Sequence, residues 1–221
     1  MKCTIKKLVL ASVLAGLFVV EAHASTMTYV LNQSNIESVM PDNVPYLTVT
    51  IQDGLTFGSD TNAVKFKVDV INSAFTAGGN FGIQEFGFNR STGAPTVAES
   101  NIVGLASGWS ANTPPPNNQL DGFGRFGIKV SGPGNNRLDP LEFWITGVLN
   151  DTVASYSGLS TNAGGQGSVK FAAHVAGFNT SDKKITSGYF GGSTAVPVPA
   201  ALWLFGSALA GLVSINRRKS A

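Results

Sequence analysis

Covalent catalysis by a hydroxyl or thiol needs a base beside the nucleophile, most often a histidine. The chain holds two histidines, His23 and His174, and one cysteine, Cys3. His23 and Cys3 fall in an N-terminal targeting stretch, so His174 is the imidazole left for chemistry. It ends the alternating run Ser168 to His174, on the same face as Lys170 and Ala172 and opposite Phe171 and Ala173. Without a Gly-x-Ser-x-Gly elbow, it reads as a structural or surface side chain of a strand. One histidine and no cysteine cannot assemble a zinc site of ordinary ligands. Cleaving a glycosidic bond takes two carboxylates flanking it. Glu37, Glu85, Glu99 and Glu142 form no paired motif, and Asp139, beside Glu142, is followed by Pro140 and reads first as a turn. The expectation is a protein that is not an enzyme.

Binding leaves two candidates. Calcium takes oxygen ligands from Asp, Asn and backbone carbonyls. Asn135, Asn136 and Asp139 share one loop and Asn150 and Asp151 the next, yet no Asp-x-Asp-x-Asp string appears. No cofactor is expected, and calcium is the one ion these loops suggest. Glycans stack on exposed aromatic faces, for which Trp109 and Tyr156 are the candidate contacts. Trp109 is the stronger, in a Gly- and Ser-rich stretch ahead of Pro114, Pro115 and Pro116. Trp144, between Phe143 and Ile145, suits a core equally well.

The elements that would position these residues are strands. AVKFKVDVI, residues 63 to 71, puts Val64, Phe66, Val68 and Val70 on one face and Lys65, Lys67 and Asp69 on the other. Strict period two marks a half-buried strand. Further strands are expected over 46–51, 81–88, 125–130, 141–148 and 168–175, with shorter ones near 27 and 188–190. Turn chemistry separates them at Asp53-Gly54, Gly78-Gly79-Asn80, the run from Gly132 to Asn136, and Gly164-Gly165. The fold class expected is all-β: one antiparallel β-sandwich, jelly-roll-like, with a barrel as the other closed solution.

The two ends differ from this middle. Residues 1–24 open with Lys2, Lys6 and Lys7, continue with an apolar run from Leu8 to Val20, and close on Ala22-His23-Ala24 before Ser25. That layout is a secretory signal peptide, cut by signal peptidase between Ala24 and Ser25. Its apolar run is too short for a span, which takes about 20 residues. The exported domain is then 25–195. Nine basic and twelve acidic residues remain there, so it carries −3 where the full chain carries +2. A basic surface for nucleic acid is not expected. Removing the signal also removes Cys3, so no disulfide can form and stability must come from an ordinary core.

Residues 196–221 read VPVPAALWLFGSALAGLVSINRRKSA. Val196 to Ile215 carries no charged side chain, and a helix of that length spans roughly 30 Å, the thickness of a bilayer core. Pro197 and Pro199 suit its first turn, and Arg217, Arg218 and Lys219 would hold the C-terminus in the cytoplasm. A Pro-x-Pro motif, an apolar helix and an Arg-rich end together resemble the bacterial PEP-CTERM sorting signal, with Val198 where the family's namesake has Glu. The resemblance implies recognition through Pro197, Pro199, Arg217 and Arg218 by an exosortase, a membrane transpeptidase. It implies a precursor held at the inner membrane through 196–215, a mature form at the cell surface or outside the cell, and association with exopolysaccharide in biofilm. The run Phe171-Ala172-Ala173-His174-Val175, followed by Ser187-Gly188-Tyr189, also resembles the final strands of a group of PEP-CTERM exported proteins with a small β-domain.

Overall fold

The computed structural model describes residues 24–113 and 118–196. The chain begins with β1 (Thr26–Leu31), β2 (Gln33–Ser34), β3 (Leu47–Phe57), β4 (Asp60–Val70) and β5 (Thr76–Phe88). Short pieces follow: β6 (Ile102–Val103), β7 (Ser110–Asn112), β8 (Gln119–Leu120) and β9 (Gly124–Arg125). Then come β10 (Ile128–Ser131), β11 (Leu141–Ile145), β12 (Phe171–Asn179), β13 (Ser187–Gly192) and β14 (Thr194–Val196). The class is all-β. Every strand pairing is antiparallel, as in β3 with β4 and β5 with β12.

Alternation sets the longest hairpin. Leu47, Val49 and Ile51 of β3 and Val64, Phe66, Val68 and Val70 of β4 are buried, and the residues between them face outward. Gly58, at φ 59°, and Ser59 join the two strands. The expected break at Asp53-Gly54 is instead a bulge inside β3. Gly54 takes φ 63°, and the pairing register slips between Gln52 and Leu55 while the strand continues to Phe57. Gly78-Gly79-Asn80 likewise lies inside β5.

The first sheet runs β14-β1-β3-β4-β11-β6 and the second β2-β13-β12-β5-β10-β7. Phe66 sits between them. Its ring lies 4.9 Å from Phe143 of its own sheet, nearly parallel, and 4.8 Å from Phe88 of the other. Tyr156 meets it edge-on at 4.8 Å. Around these rings both inner faces contribute to one core, from Tyr29 and Ile51 to Val130 and Phe190. Two hairpins, β3–β4 and β12–β13, stay within a sheet, while the one-residue links Asn32 and Ser193 carry the chain from one sheet to the other.

A second, smaller core lies on the outer face of the second sheet. The segment carrying β8 and β9 folds over that face and packs Leu120, Phe123 and Phe126 against Ala172 and Val169. It fits because Gly87, Ala172 and Gly191 stand side by side on three adjacent strands. A Cβ at Gly87 would come within 2.7 Å of Leu120 and 2.8 Å of Phe126, and one at Gly191 within 2.5 Å of Phe123. The same packing splits the strand expected over 125–130. Phe126 turns to the outer cluster, while Ile128 and Val130 turn to the main core.

Truncating Phe66 removes the ring on which both sheets converge. Phe66→Ala is expected to cost about 3–5 kcal/mol, the range for deleting a fully buried phenylalanine. Urea unfolding followed by tryptophan fluorescence measures it. A loss under about 1 kcal/mol would contradict this core.

Candidate functional site

Neither aromatic expected to touch a glycan presents a face to solvent. Trp109 is 8% exposed. Its indole lies on the backbone of Gly132, where a Cβ would come within 2.1 Å of the ring, and its Nε1–H donates to the Asn136 carbonyl at 2.9 Å. Tyr156 is fully buried. Its hydroxyl donates to Asp151 in a short hydrogen bond, and the Arg90 guanidinium covers its ring at 4.4 Å. Burial first, then the Asp151 carboxylate, holds this phenol far above its ordinary range. Trp144 is half-buried instead. It alternates outward between Phe143 and Ile145 on the first sheet, 5.0 Å from Phe57, with Lys65 Nζ 5.5 Å from its ring. Lys65 also pairs with Glu142 at 3.1 Å.

The calcium candidates are engaged elsewhere. Asp139 accepts the Val70 amide at 3.0 Å, and Asn136 donates to the Ser107 carbonyl at 2.9 Å. Asp151, 1% exposed, pairs with Arg90 at 2.7 Å. These groups fasten loops to strands and do not converge. Among the described residues, no three or more His, Cys, Asp and Glu side chains gather as a metal site.

His174 has company that the sequence did not reveal. Across the second sheet it stands between Glu85 of β5 and Tyr189 of β13, its register partners. The imidazole stacks on the Tyr189 ring at 4.4 Å. Glu85 accepts from Lys129 at 2.9 Å and, more weakly, from the Tyr189 hydroxyl at 3.4 Å. Next to Glu85 a bulge inserts Gln84, where the pairing moves from His174 with Glu85 to Val175 with Ile83. Bulges re-aim side chains in this way. Gln84 takes a hydrogen bond from Arg137 Nε at 3.1 Å, and Arg137 also donates to the Asn80 carbonyl at 2.9 Å. Nothing in the strand pattern marks a bulge, so the grouping could not be found by alternation alone.

Beside this group is a depression of about 380 Å³, with Arg137 and His174 on its sides and Gly78, Gly79 and Gly177 among its walls. Burial lowers the His174 pKa, Glu85 opposes that, and Arg137 and Lys129 add to the lowering. Burial, then Glu85, pushes Tyr189 up to about 12. The imidazole is therefore neutral and the phenol protonated at neutral pH. A phenol and a lysine-bound carboxylate flank the imidazole.

Of the residues expected to act in targeting, Ala24 and Ser25 are described, and both are exposed. Ala22, Pro197, Pro199, Arg217 and Arg218 lie outside the described residues, as does the stretch from 197 to 215. Among the described residues no helix is long and apolar enough to cross a membrane. The last strand takes in Val196, one residue beyond the expected domain end. The chain matches no protein-family model, no curated protein sequence and no solved structure.

His174 supplies a pH test. Its folded pKa lies below the usual value of about 6.5, so the folded state prefers the neutral ring. The resulting stabilisation is complete above the unfolded pKa and is lost as pH falls through that value toward the folded one. The melting temperature should fall between pH 7 and pH 5, and less so in His174→Gln. Proton NMR of His174 should show a midpoint below 6.5; a midpoint above it contradicts the cause assigned here.

Proposed function

We propose that the chain is a non-catalytic exported protein of the cell surface or extracellular matrix, sorted by an exosortase through its C-terminal segment. The reading rests on one structural observation beside the two terminal sequences. β1 and β14 are antiparallel neighbours at the edge of the first sheet, with Thr28 opposite Val196 and Val30 opposite Thr194. The start of β1 and the end of β14 therefore leave the domain at the same end of the same sheet. A signal peptide before Ser25 and a membrane-held tail after Val196 would both extend from that end. The outer face of the second sheet and most of the first would stay clear of the bilayer. In this reading the tail from 196 to 215 is the transient transmembrane helix, and Pro197 and Pro199 are its recognition motif. Exopolysaccharide is the matrix polymer the mature domain would meet.

Replacing Pro197 and Pro199 with Ala in the precursor, expressed in a bacterium that carries an exosortase, should leave unprocessed chain in the inner membrane. Fractionation and blotting measure it. Release of that variant at the normal rate would argue for a plain membrane anchor.

A second reading, a glycan-binding module, is favoured by the outward position of Trp144 with Phe57, Lys65 and Glu142 around it. If it holds, Trp144→Ala should reduce co-sedimentation of the protein with exopolysaccharide from its own host about fivefold or more, within the range of a lost stacking contact. Unchanged co-sedimentation would leave the structural reading alone.

A further inference from the structure

Asp53 occupies a position where the strand pattern calls for an apolar side chain. Leu47, Val49 and Ile51 of β3 point into the core, and Asp53 continues the same face, 7% exposed. A buried carboxylate is costly unless it is hydrogen-bonded and paired with a cation. Asp53 has the hydrogen bonds: Oδ2 accepts the Val153 amide at 2.8 Å and Oδ1 accepts the Ser25 amide at 2.7 Å. It has no Lys or Arg partner among the described residues, whose ion pairs are Lys65–Glu142, Lys67–Asp69, Arg90–Asp151 and Lys129–Glu85.

The missing cation can come from the chain itself. We propose that removal of the N-terminal segment at Ala24–Ser25 converts the Ser25 nitrogen into the counter-ion of Asp53, so that processing completes the fold. This rests on the export reading above. Hydrolysis of the Ala24–Ser25 amide consumes one water. The departing segment keeps the carboxylate of Ala24, and the freed amine of Ser25 takes up a proton to become an ammonium. That nitrogen is the atom already 2.7 Å from Asp53 Oδ1.

The sheet holds the nitrogen there independently of the residues before it. β1 and β3 pair from Thr26 opposite Gln52 to Leu31 opposite Leu47. One step further, the Asp53 amide donates to the Ser25 carbonyl at 3.0 Å. Ser25 is thus fixed by its own carbonyl and by the ladder that follows it. Ala24 packs over Gly54, with its Cα 3.3 Å from where a Cβ of that glycine would be. Both Ala24 and Ser25 are exposed, so cutting between them disturbs no core contact. Because Asp53 also binds Val153, the new ion pair would tie the first residue of the mature chain to the 153–156 turn that carries the buried Tyr156.

The test uses two chains that both run to Ala221, kept in detergent micelles and released from a removable N-terminal fusion to begin at Ser25 or at Ala24. The Ser25-first chain should melt about 4 °C or more above the Ala24-first chain, the shift an ion pair of this kind gives in a domain of this size. In an Asp53→Asn background the two starts should melt together. Equal melting in the Asp53 chains, or the same gap in both backgrounds, overturns the ion pair. Should Asp53→Asn fail to fold, acylation of the α-amine at neutral pH decides. The folded Ser25-first chain should react about tenfold or more slowly than the unfolded one, as a protonated, ion-paired amine does, and rates within twofold overturn the proposal. Mass spectrometry of the exported protein separates the two levels. A mature chain beginning elsewhere than Ser25 overturns the maturation step, whereas equal melting overturns the ion pair and leaves the export reading standing.

Discussion

The stacking of aromatic rings between two sheets is what the molecule depends on. From Ser25 onward the chain has no cysteine, so no covalent staple holds the sheets together. Phe66, Phe86, Phe88, Phe143, Phe171 and Tyr156 are each buried, and their rings lie close enough to form a continuous stack across the sandwich. Each buries a large apolar area with few rotatable bonds, which is how one core can hold a domain of this length. The stack also fixes what surrounds it. Tyr156 reaches the core only because its hydroxyl is taken by Asp151, and Asp151 is tolerated in a buried position only because Arg90 neutralises it. A polar triad is thereby sealed beneath the aromatic wall.

Alternation was legible wherever one face of a strand meets this core and the other meets water. Val64 to Val70 and Leu141 to Ile145 are such cases, and both strands lie where the pattern puts them. It failed where both faces are covered. On the second sheet the strand residues Gly87, Ala172 and Gly191 are small because another segment lies on them. Their abundance in the sequence looks like turn chemistry and is in fact packing. Gly132 is the same phenomenon beneath Trp109. The glycine that makes room and the aromatic that fills it are 23 residues apart in that case, and no local pattern joins such partners. Gly191 and Phe123, in contact across the second sheet, are separated by 68 positions, a distance over which periodicity carries no information.

The aromatic candidates show why composition could not locate a site. Trp109 stands in a polar, Gly-rich stretch that suggests exposure, yet Gly132 offers a flat backbone on which the indole settles. Trp144 stands between two core residues, which places it on the opposite face of its strand by period two alone. That inference was available from the sequence, because Phe143 and Ile145 cannot both be inward if Trp144 is inward too. The grouping of Glu85, His174 and Tyr189 was not available. It needs the register of three strands and a bulge at Gln84, and register is a property of the assembled sheet.

The closure of the first sheet joins the fold to the ends of the chain. A sandwich whose first and last strands pair must release both termini at one end, and the pairing of Thr28 with Val196 makes that end the one bearing Ser25. The edge position of β14 has a further consequence. An edge strand exposes unpaired backbone groups and invites a neighbour, but Pro197 follows Val196 directly and brings no amide hydrogen to extend the ladder. The residues that suit a sorting motif are thus also residues that stop an edge strand. In the proposed export reading, one short sequence would end the sheet and begin the tail.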